Sequence, residues 1–353
     1  MNRISLIADS LESKGIDGIL VSHITNVRYI SGFRGSYGRV LIAKENRVFC
    51  TDPRYEEQAK QEIKGFDLLI EHEGSPKEVI ERAKSLGIKT LGFESTASYQ
   101  FYRSLLRKGI KIKAVSNFIE DLRKIKDAHE LGMIRKAVAR AENAFLKVKA
   151  AIRPGKTEKQ IASLLEENLK KEGCNSIPFD IIVASGRNSA LPHAKPTEKK
   201  IKPGDLVVID WGGEAGGYFS DMTRSFLING KGISRKKEMY EVVLQANMQA
   251  IQSVAAGLSS MMVDKAARDC IKKAGYADFF GHGTGHGVGL DVHELPRISR
   301  LGRESVKPGM VFTIEPGVYI PGTGGVRIED MVLVEKSGCK VLTALPKGLE
   351  ILH

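Results

Sequence analysis

The chain has 353 residues, 42% hydrophobic and 27% charged, which is enough material for about two cored domains and excludes a disordered or fibrous chain. Its formal net charge of +12 comes from 54 basic residues spread among 42 acidic ones, and the densest basic cluster is Lys199–Lys200 with nearby Lys195 and Lys202. Nucleic-acid binding needs a concentrated basic stripe, so this balance reads as a solvated basic surface.

The start, MNRISLIADSLESK, is amphipathic and charged and lacks the apolar core of a signal peptide. No run approaches the roughly 20 apolar residues of a membrane span. Cys50, Cys174, Cys270 and Cys339 lie far apart and match no metal or redox spacing. These features lead us to expect a cytoplasmic protein in a reducing compartment, with neither membrane nor nucleic acid as partner.

From Ile4 to about Ile119 strand and helix patterns alternate. ISLIADSLESKG predicts a helix ending at Gly15, and DGILVS a buried strand. Strand patterns recur at GRVLIA, RVFCTD, FDLLIE, TLGFES and IKIKAV. Helical stretches RYEEQAKQEIK, PKEVIERAKSLG and ASYQFYRSLLRKG lie between them. An α/β domain over residues 1–122 follows, with no catalytic constellation; its isolated His23 and His72 read as surface or satisfied residues. The charged segment EDLRKIKDAHE then opens a long helical pattern through Ala151, and residues 123–353 form the second domain.

The second domain contains an internal repeat. Lys202-Pro203-Gly204, running to Asp210, matches Lys307-Pro308-Gly309, running to Glu315, at an offset of 105 residues. Each copy continues through a glycine-rich turn into a second strand with another acid, Asp221 in YFSDMTRSF and Glu329 in GVRIEDMVLV. Upstream, PGKTEKQIASLLEENLKKEG resembles AGLSSMMVDKAARDCIKKAG at an offset of 102. Two related halves about a pseudo-twofold axis are expected, each presenting two carboxylates at matched positions.

Between the copies, FGHGTGHGVGLDVHE packs His282, His286, His293 and five glycines into fifteen residues, leaving no room for a regular helix. As a plain surface loop it would need no acidic partners. As a metal or proton-handling site it would need them. Any one of the four acids alone reads equally well as a turn residue. Four at the ends of apolar runs are costly to bury unpartnered, and a divalent cation neutralises them. Four carboxylates and one imidazole are too acidic a set for a closed zinc site. They suit two ions sharing carboxylates about 3.5–4 Å apart, with manganese or cobalt favoured and zinc or iron as alternatives. Of the histidines, His286 is the expected ligand, because Gly285 and Gly287 let it approach closely. Competing motifs fail: the loop does not satisfy G-x-G-x-x-G, and Ala150 breaks a phosphate loop ending at Gly155-Lys156-Thr157. His293-Glu294 does not continue as H-E-x-x-H, and no G-x-S-x-G elbow is present.

Taken together, Asp210, Asp221, HGTGHGVGLDVHE, TIEPG and GVRIED stand in an order and spacing that resembles the pita-bread metallopeptidases, specifically aminopeptidase P and prolidase. The resemblance covers nearly the whole chain, including a creatinase-type N-domain that contains Asn26-Val-Arg-Tyr29-Ile-Ser-Gly32-Phe33. It implies an α/β N-terminal domain plus an α+β pita-bread catalytic domain. It implies that Asp210 chelates one metal, that His286 and Glu315 bind the other, and that Asp221 and Glu329 bridge them. His193, His282 and His293 match the family's substrate and proton-handling histidines, and Glu315 would also move a proton. For Arg327 the resemblance leaves a structural ion pair and substrate contact equally open; for Tyr319 core packing is expected. Pro192-His193-Ala194 with GVRIED is similar to the prolyl-specific branch. The implied activity is hydrolysis of the bond between an N-terminal residue and proline in an Xaa-Pro peptide, by a homodimer or higher homo-oligomer. Two alternatives are a non-catalytic relative that binds peptide or nucleic acid, which the intact ligand set disfavours, and a creatinase-like amidinohydrolase.

Overall fold

Alternating apolar runs in the first third of the chain build a mixed β-sheet. The computed structural model describes residues 3–72, 76–106 and 109–353. The chain divides into two units, Met1–Arg123 and Lys124–His353. The first unit opens with α1 (Arg3–Ser10), β1 (Gly18–Val21), α2 (Ile24–Ser31), β2 (Arg39–Ala43) and β3 (Arg47–Thr51). It continues with α3 (Glu56–Glu62), β4 (Asp67–Ile70), α4 (Lys77–Ser85), β5 (Thr90–Glu94), α5 (Tyr99–Leu105), β6 (Lys111–Val115) and α6 (Phe118–Arg123). The sheet order is β4-β3-β2-β1-β5-β6. β1 and β2 are buried at every position, which is why they read as unbroken apolar runs.

Two details depart from the periodicity. α2, which the patterning did not identify, is only eight residues long, begins with β-branched Ile24 and Thr25, and stops at Gly32 in the left-handed region. The helix predicted over 97–109 ends at Leu105, and Arg107 and Lys108 of that prediction lie outside the described residues. His23 and His72 are both exposed.

The second unit begins with α7 (Ala128–Val148), started by a capping box between Asp127 and Glu130, followed by α8 (Glu158–Lys171), started by one between Thr157 and Gln160. Then come β7 (Ile182–Ser185), β8 (Leu206–Trp211), β9 (Glu214–Ala215), β10 (Tyr218–Phe219) and β11 (Met222–Ile228). After α9 (Ser234–Ser253) and α10 (Ser260–Lys273) the strands are β12 (Gly285–Gly287), β13 (Glu294–Ile298), β14 (Val311–Ile314) and β15 (Gly317–Ile320). The chain closes with β16 (Gly324–Arg327), β17 (Asp330–Val334), β18 (Cys339–Val341) and β19 (Ile351–Leu352). α9 and α10 pack Met239, Val243, Val263 and Ala267 against Phe312, Ile314 and Val332 in one core.

The duplication is visible in the topology. α8 and α10 are both 14 residues long, and their starts differ by the repeat offset of 102. One sheet runs β19-β11-β8-β7, the other β13-β12-β14-β17-β18. In each, an antiparallel pair (β8 with β11, β14 with β17) is extended by a short inner arm, β9 with β10 or β15 with β16. The arms differ in length, two residues per strand against four. This shifts the register and corrects the expectation of four matched acids. Asp210 faces Thr223, whereas Ile314 faces Asp330, so the next pair outward is Glu315 with Glu329. Only Asp210 and Glu315 correspond.

All four cysteines are free. Among the described residues no helix is long and apolar enough to cross a membrane.

β12 lies between β13 and β14, and its glycines pay for that closeness rather than for a flexible path. A Cβ on Gly285 would stand 1.9 Å from the Thr313 carbonyl oxygen, and one on Gly287 2.1 Å from that of Leu295. Gly285→Ala must therefore push β12 off β14. It is expected to destabilise the protein by about 1–3 kcal/mol, read as a lowered thermal midpoint. An unchanged midpoint would refute this packing.

Candidate metal centre

Of the side chains expected as ligands, the four acids stand at or beside strand ends of the two related sheets, with His286 among them. Asp210 lies in β8, Asp221 immediately precedes β11, His286 is central in β12, Glu315 follows β14 and Glu329 precedes β17. Backbone hydrogen bonds tie these ends together: Glu315 N–H donates to Thr284 O at 2.8 Å, and Glu329 N–H to Thr223 O at 3.1 Å. Ligand atoms lie within 4.8 Å of one another in three sets: Asp210, Asp221 and Glu329; His286, Glu315 and Glu329; and Asp221, His286 and His293. Asp221, His286 and Glu329 each belong to two sets.

Protein donors do not discharge this cluster. Asp210 Oδ2 accepts from Arg327 at 2.7 Å, Glu329 Oε2 from Thr223 Oγ1 at 2.7 Å, and Glu315 Oε1 from Thr313 Oγ1 at 3.3 Å. Asp210 Oδ1 and Asp221 Oδ1 are buried with no partner among the described residues. His286 Nδ1 lies 3.1 Å from the Gly287 carbonyl, which can only accept, so Nδ1 carries the hydrogen. Nε2 is thereby turned to Glu315 at 3.3 Å and Asp221 at 3.6 Å. Such an array of acceptors around a common point fits divalent cations.

The titration behaviour has the same origin. Burial, then the charges of Glu329, Asp210 and Glu315, push Asp221 well above the usual carboxylate range. Burial, then Glu315 and Asp210, does the same to Glu329. Burial also raises Asp210, against the opposing charge of Arg327. For Glu315 burial acts upward, but the hydrogen bond and charge of His286 outweigh it and hold the group at about 2. For His286 burial acts downward and Glu315 prevails, raising it. The buried carboxylate oxygens outnumber the protein donors that reach them.

The remaining candidates surround this point. His193 and His293 are exposed, and the His293 ring lies 4.3 Å from that of His286. His282 has both ring nitrogens engaged, Nδ1 with Gly283 O at 2.8 Å and Nε2 with the Tyr319 hydroxyl at 2.9 Å. That hydroxyl also accepts from Arg327 at 2.8 Å, so Tyr319 is a polar link in the site; core packing alone does not describe it. Arg327 is 3% exposed and donates to Asp210, Thr223, Tyr319 and the Pro192 carbonyl. Its contacts are those of a structural ion pair.

A cleft of about 460 Å³ opens over the cluster, walled by Phe179, Ile181, Pro192 and Ala194 with all four cleft histidines. Sequence reasoning missed Phe179 and Ile181, as well as Thr223, Thr313 and the buried Lys126–Glu294 pair (2.5 Å) behind His293. Thr223 had a signal: MTRSFLI carries three polar residues in a strand buried at every position.

Comparisons with known proteins identify the family. The model of metallopeptidase family M24 matches residues 132–336, and that of the Creatinase/Prolidase N-terminal domain matches residues 3–125. A Xaa-Pro dipeptidase of Pyrococcus horikoshii is 40% identical over 98% of this chain and 98% of its own. The structure of a Xaa-Pro dipeptidase from Bacillus anthracis superposes with a TM-score of 0.96 at 40% identity, covering 99% of each chain. That of an X-Pro aminopeptidase from Thermotoga maritima gives 0.89 at 37% identity over 100% of each. With its strand-end acids and central histidine in this arrangement, the chain belongs to metallopeptidase family M24 and carries the Creatinase/Prolidase N-terminal domain.

Proposed function

We propose that this chain is a dinuclear metal-dependent exopeptidase that hydrolyses the bond between an N-terminal residue and a following proline. The observation that carries the reading is the convergence of Asp210, Asp221, His286, Glu315 and Glu329, with buried carboxylate oxygens left without a donor. In this reading Asp210 would hold one ion and His286 with Glu315 the other, with Asp221 and Glu329 shared between them. Asp221 and Glu329, like His286, each belong to two ligand sets, and of these three only the carboxylates have two oxygens to share between ions, which supports bridging roles for them. The oxygen-rich set favours manganese or cobalt over zinc or iron.

Bound divalent cations supply Lewis acidity toward a water molecule and toward the substrate carbonyl. Glu315, 3.3 Å from His286 on the cleft wall, would accept a proton and pass it to the leaving proline nitrogen. His193 and His293, exposed in the cleft, hydrogen-bond the reacting carbonyl group. His282 acts through Tyr319 and Arg327, fixing the guanidinium that neutralises Asp210. The free α-amine that defines an N-terminal residue needs hydrogen-bond acceptors, and the carboxylates lining the cleft offer them. Proline's tertiary amide has no N–H to satisfy, and its ring suits a wall of Phe179, Ile181 and Ala194. The names of the relatives support proline at the second position.

Three outcomes are expected. Purified protein supplied in turn with manganese, cobalt and zinc should cleave an Xaa-Pro dipeptide or an Xaa-Pro-Pro tripeptide, with the first two metals giving the faster rates. Inactivity on both substrates in every metal rejects the reading. Asp221→Ala should lose bound metal and turnover together, by more than the roughly 10–100-fold typical of losing an outer-shell partner; near-normal activity contradicts a bridging role.

The third concerns pH. Asp210, Asp221 and Glu329 have folded pKa values raised above their unfolded ones, so the metal-free folded state binds extra protons and loses stability as pH rises. His286, also raised, contributes stability that is lost in the same direction. The depressed Glu315 acts oppositely, but only below its unfolded value near 4.5. Chelator-treated protein should therefore melt at lower temperature at pH 8 than at pH 5, and manganese should restore more at pH 8. Equal restoration at both would contradict proton release from these carboxylates.

A further inference from the structure

Two buried carboxylates outside the metal cluster sit on α8 and α10, the helices related by the internal repeat. Glu158, at the first turn of α8, is 0% exposed. Its Oε1 accepts from Ser185 N–H at 2.7 Å and Ser185 Oγ at 2.8 Å. Its Oε2 accepts from Thr197 N–H at 3.0 Å and Thr197 Oγ1 at 2.6 Å, and Asn188 Nδ2 donates to both oxygens at 3.1 Å. Ser185 and Thr197 bracket residues 186–196. That loop carries His193, and Pro192, whose carbonyl receives Arg327 at 3.1 Å. One carboxylate thus closes the base of the loop.

On α10, Asp264 is 1% exposed. Its Oδ1 accepts from Thr284 N–H at 3.1 Å and Thr284 Oγ1 at 2.8 Å, and its Oδ2 from Arg268 Nε at 2.7 Å. Arg268 donates onward to the carbonyls of Phe280 (3.1 Å) and His282, and lies 4.2 Å over the Phe280 ring. This pair holds the turn 280–284, which carries His282 and leads into the His286 strand. The two anchors are not equivalent positions: the offset of 102 sets Ser260 against Glu158 and Ala162 against Asp264. What the two halves share is a buried carboxylate taking both the N–H and the hydroxyl of one loop residue.

We infer that Glu158 and the Asp264–Arg268 pair are positioning residues that fix the loops bearing His193 and His282. What the histidines do rests on the exopeptidase reading; how their loops are held does not. Each carboxylate presents several acceptor sites at a fixed point, and a neutral amide of the same shape replaces one acceptor with a donor. Near-isosteric Glu158→Gln and Asp264→Asn therefore loosen the loops while preserving volume.

The test combines hydrogen exchange and kinetics on the full chain. In Glu158→Gln, the Ser185 and Thr197 amides should exchange at least about ten-fold faster, the change expected for about 1.4 kcal/mol of lost protection, while β8, β11, β14 and β17 keep theirs. Asp264→Asn should do the same at Thr284. On an Xaa-Pro substrate kcat/KM should fall by up to about a hundred-fold, as for a small misplacement of a working group. In a His193→Ala background the further effect of Glu158→Gln should be less than about two-fold, and likewise for Asp264→Asn in His282→Ala. Uniform loss of protection across the second unit, unchanged exchange at these amides, or additive kinetic losses would each overturn the inference. Should a carboxamide variant fail to fold, Thr197→Val and Thr284→Val remove a single donor each and are expected to give the same local pattern in weaker form. If the unsubstituted chain cleaves no Xaa-Pro peptide, the exopeptidase reading falls, and the exchange pattern alone decides whether the loops are clamped.

Discussion

Glu329 and Asp330 are neighbours in sequence, both 1% exposed, and their fates define the site. Asp330 receives Arg224 at 2.8 Å, Lys347 at 2.7 Å and Thr343 at 2.7 Å; burial works against its charge, but these partners win and its pKa falls. Glu329 projects to the opposite side of the strand, receives one threonine hydroxyl, and is pushed well up. Burial is the same; the supply of donors is not. A carboxylate stripped of water costs several kcal/mol unless something replaces the water. Asp330 is held by the protein's own cations, whereas Glu329, Asp221 and the free oxygen of Asp210 have charge left for a cation from outside.

The duplicated scaffold supplies this crowding without unfolding under it. Each half ends its first strand in an acid, and the pairing of β14 with β17 brings Glu329 beside Glu315. The longer inner arm in the second half breaks the symmetry, so the two halves do not deliver identical acids at identical heights. Asymmetry is useful here: Glu315 lies against His286 and stays ionised, while its counterpart Asp210 lies against Arg327. Two equivalent strand ends thereby acquire different proton affinities, the usual way in which paired carboxylates take different chemical roles.

The strand ends were legible because an acid closing an apolar run is unusual, and the repeat made the coincidence visible twice. The four acids at the ends of apolar runs, the histidine between Gly285 and Gly287, the repeated helix and the strands of the first unit follow from period and punctuation. Other features left no such mark. α2 is short and held by context, so its own residues show little helical period. Phe179 and Ile181 look like ordinary core residues until the fold sets them on a cleft wall. The role of Gly285 could not be assigned from the loop itself, since the carbonyl it must clear belongs to Thr313, 28 residues away. Tyr319 reads as core by composition, and only the placement of His282 and Arg327 at its hydroxyl makes it part of the site.

Donor supply separates the loop-holding Glu158 and Asp264 from Asp221 in the cluster. Glu158 receives five donor groups' worth of contacts from Ser185, Asn188 and Thr197; Asp264 receives Thr284 and Arg268. The Asp221 carboxylate, just as deeply buried, receives no hydrogen bond among the described residues. Satisfied acids can fix a loop because moving them breaks several bonds at once. An unsatisfied acid can exchange a proton for a cation because it gives up nothing in doing so. The two kinds must be kept apart, since an arginine reaching Asp221 would neutralise it. Holding Arg327 by four separate acceptors does this for its guanidinium, which serves Asp210 and makes no hydrogen bond to Asp221.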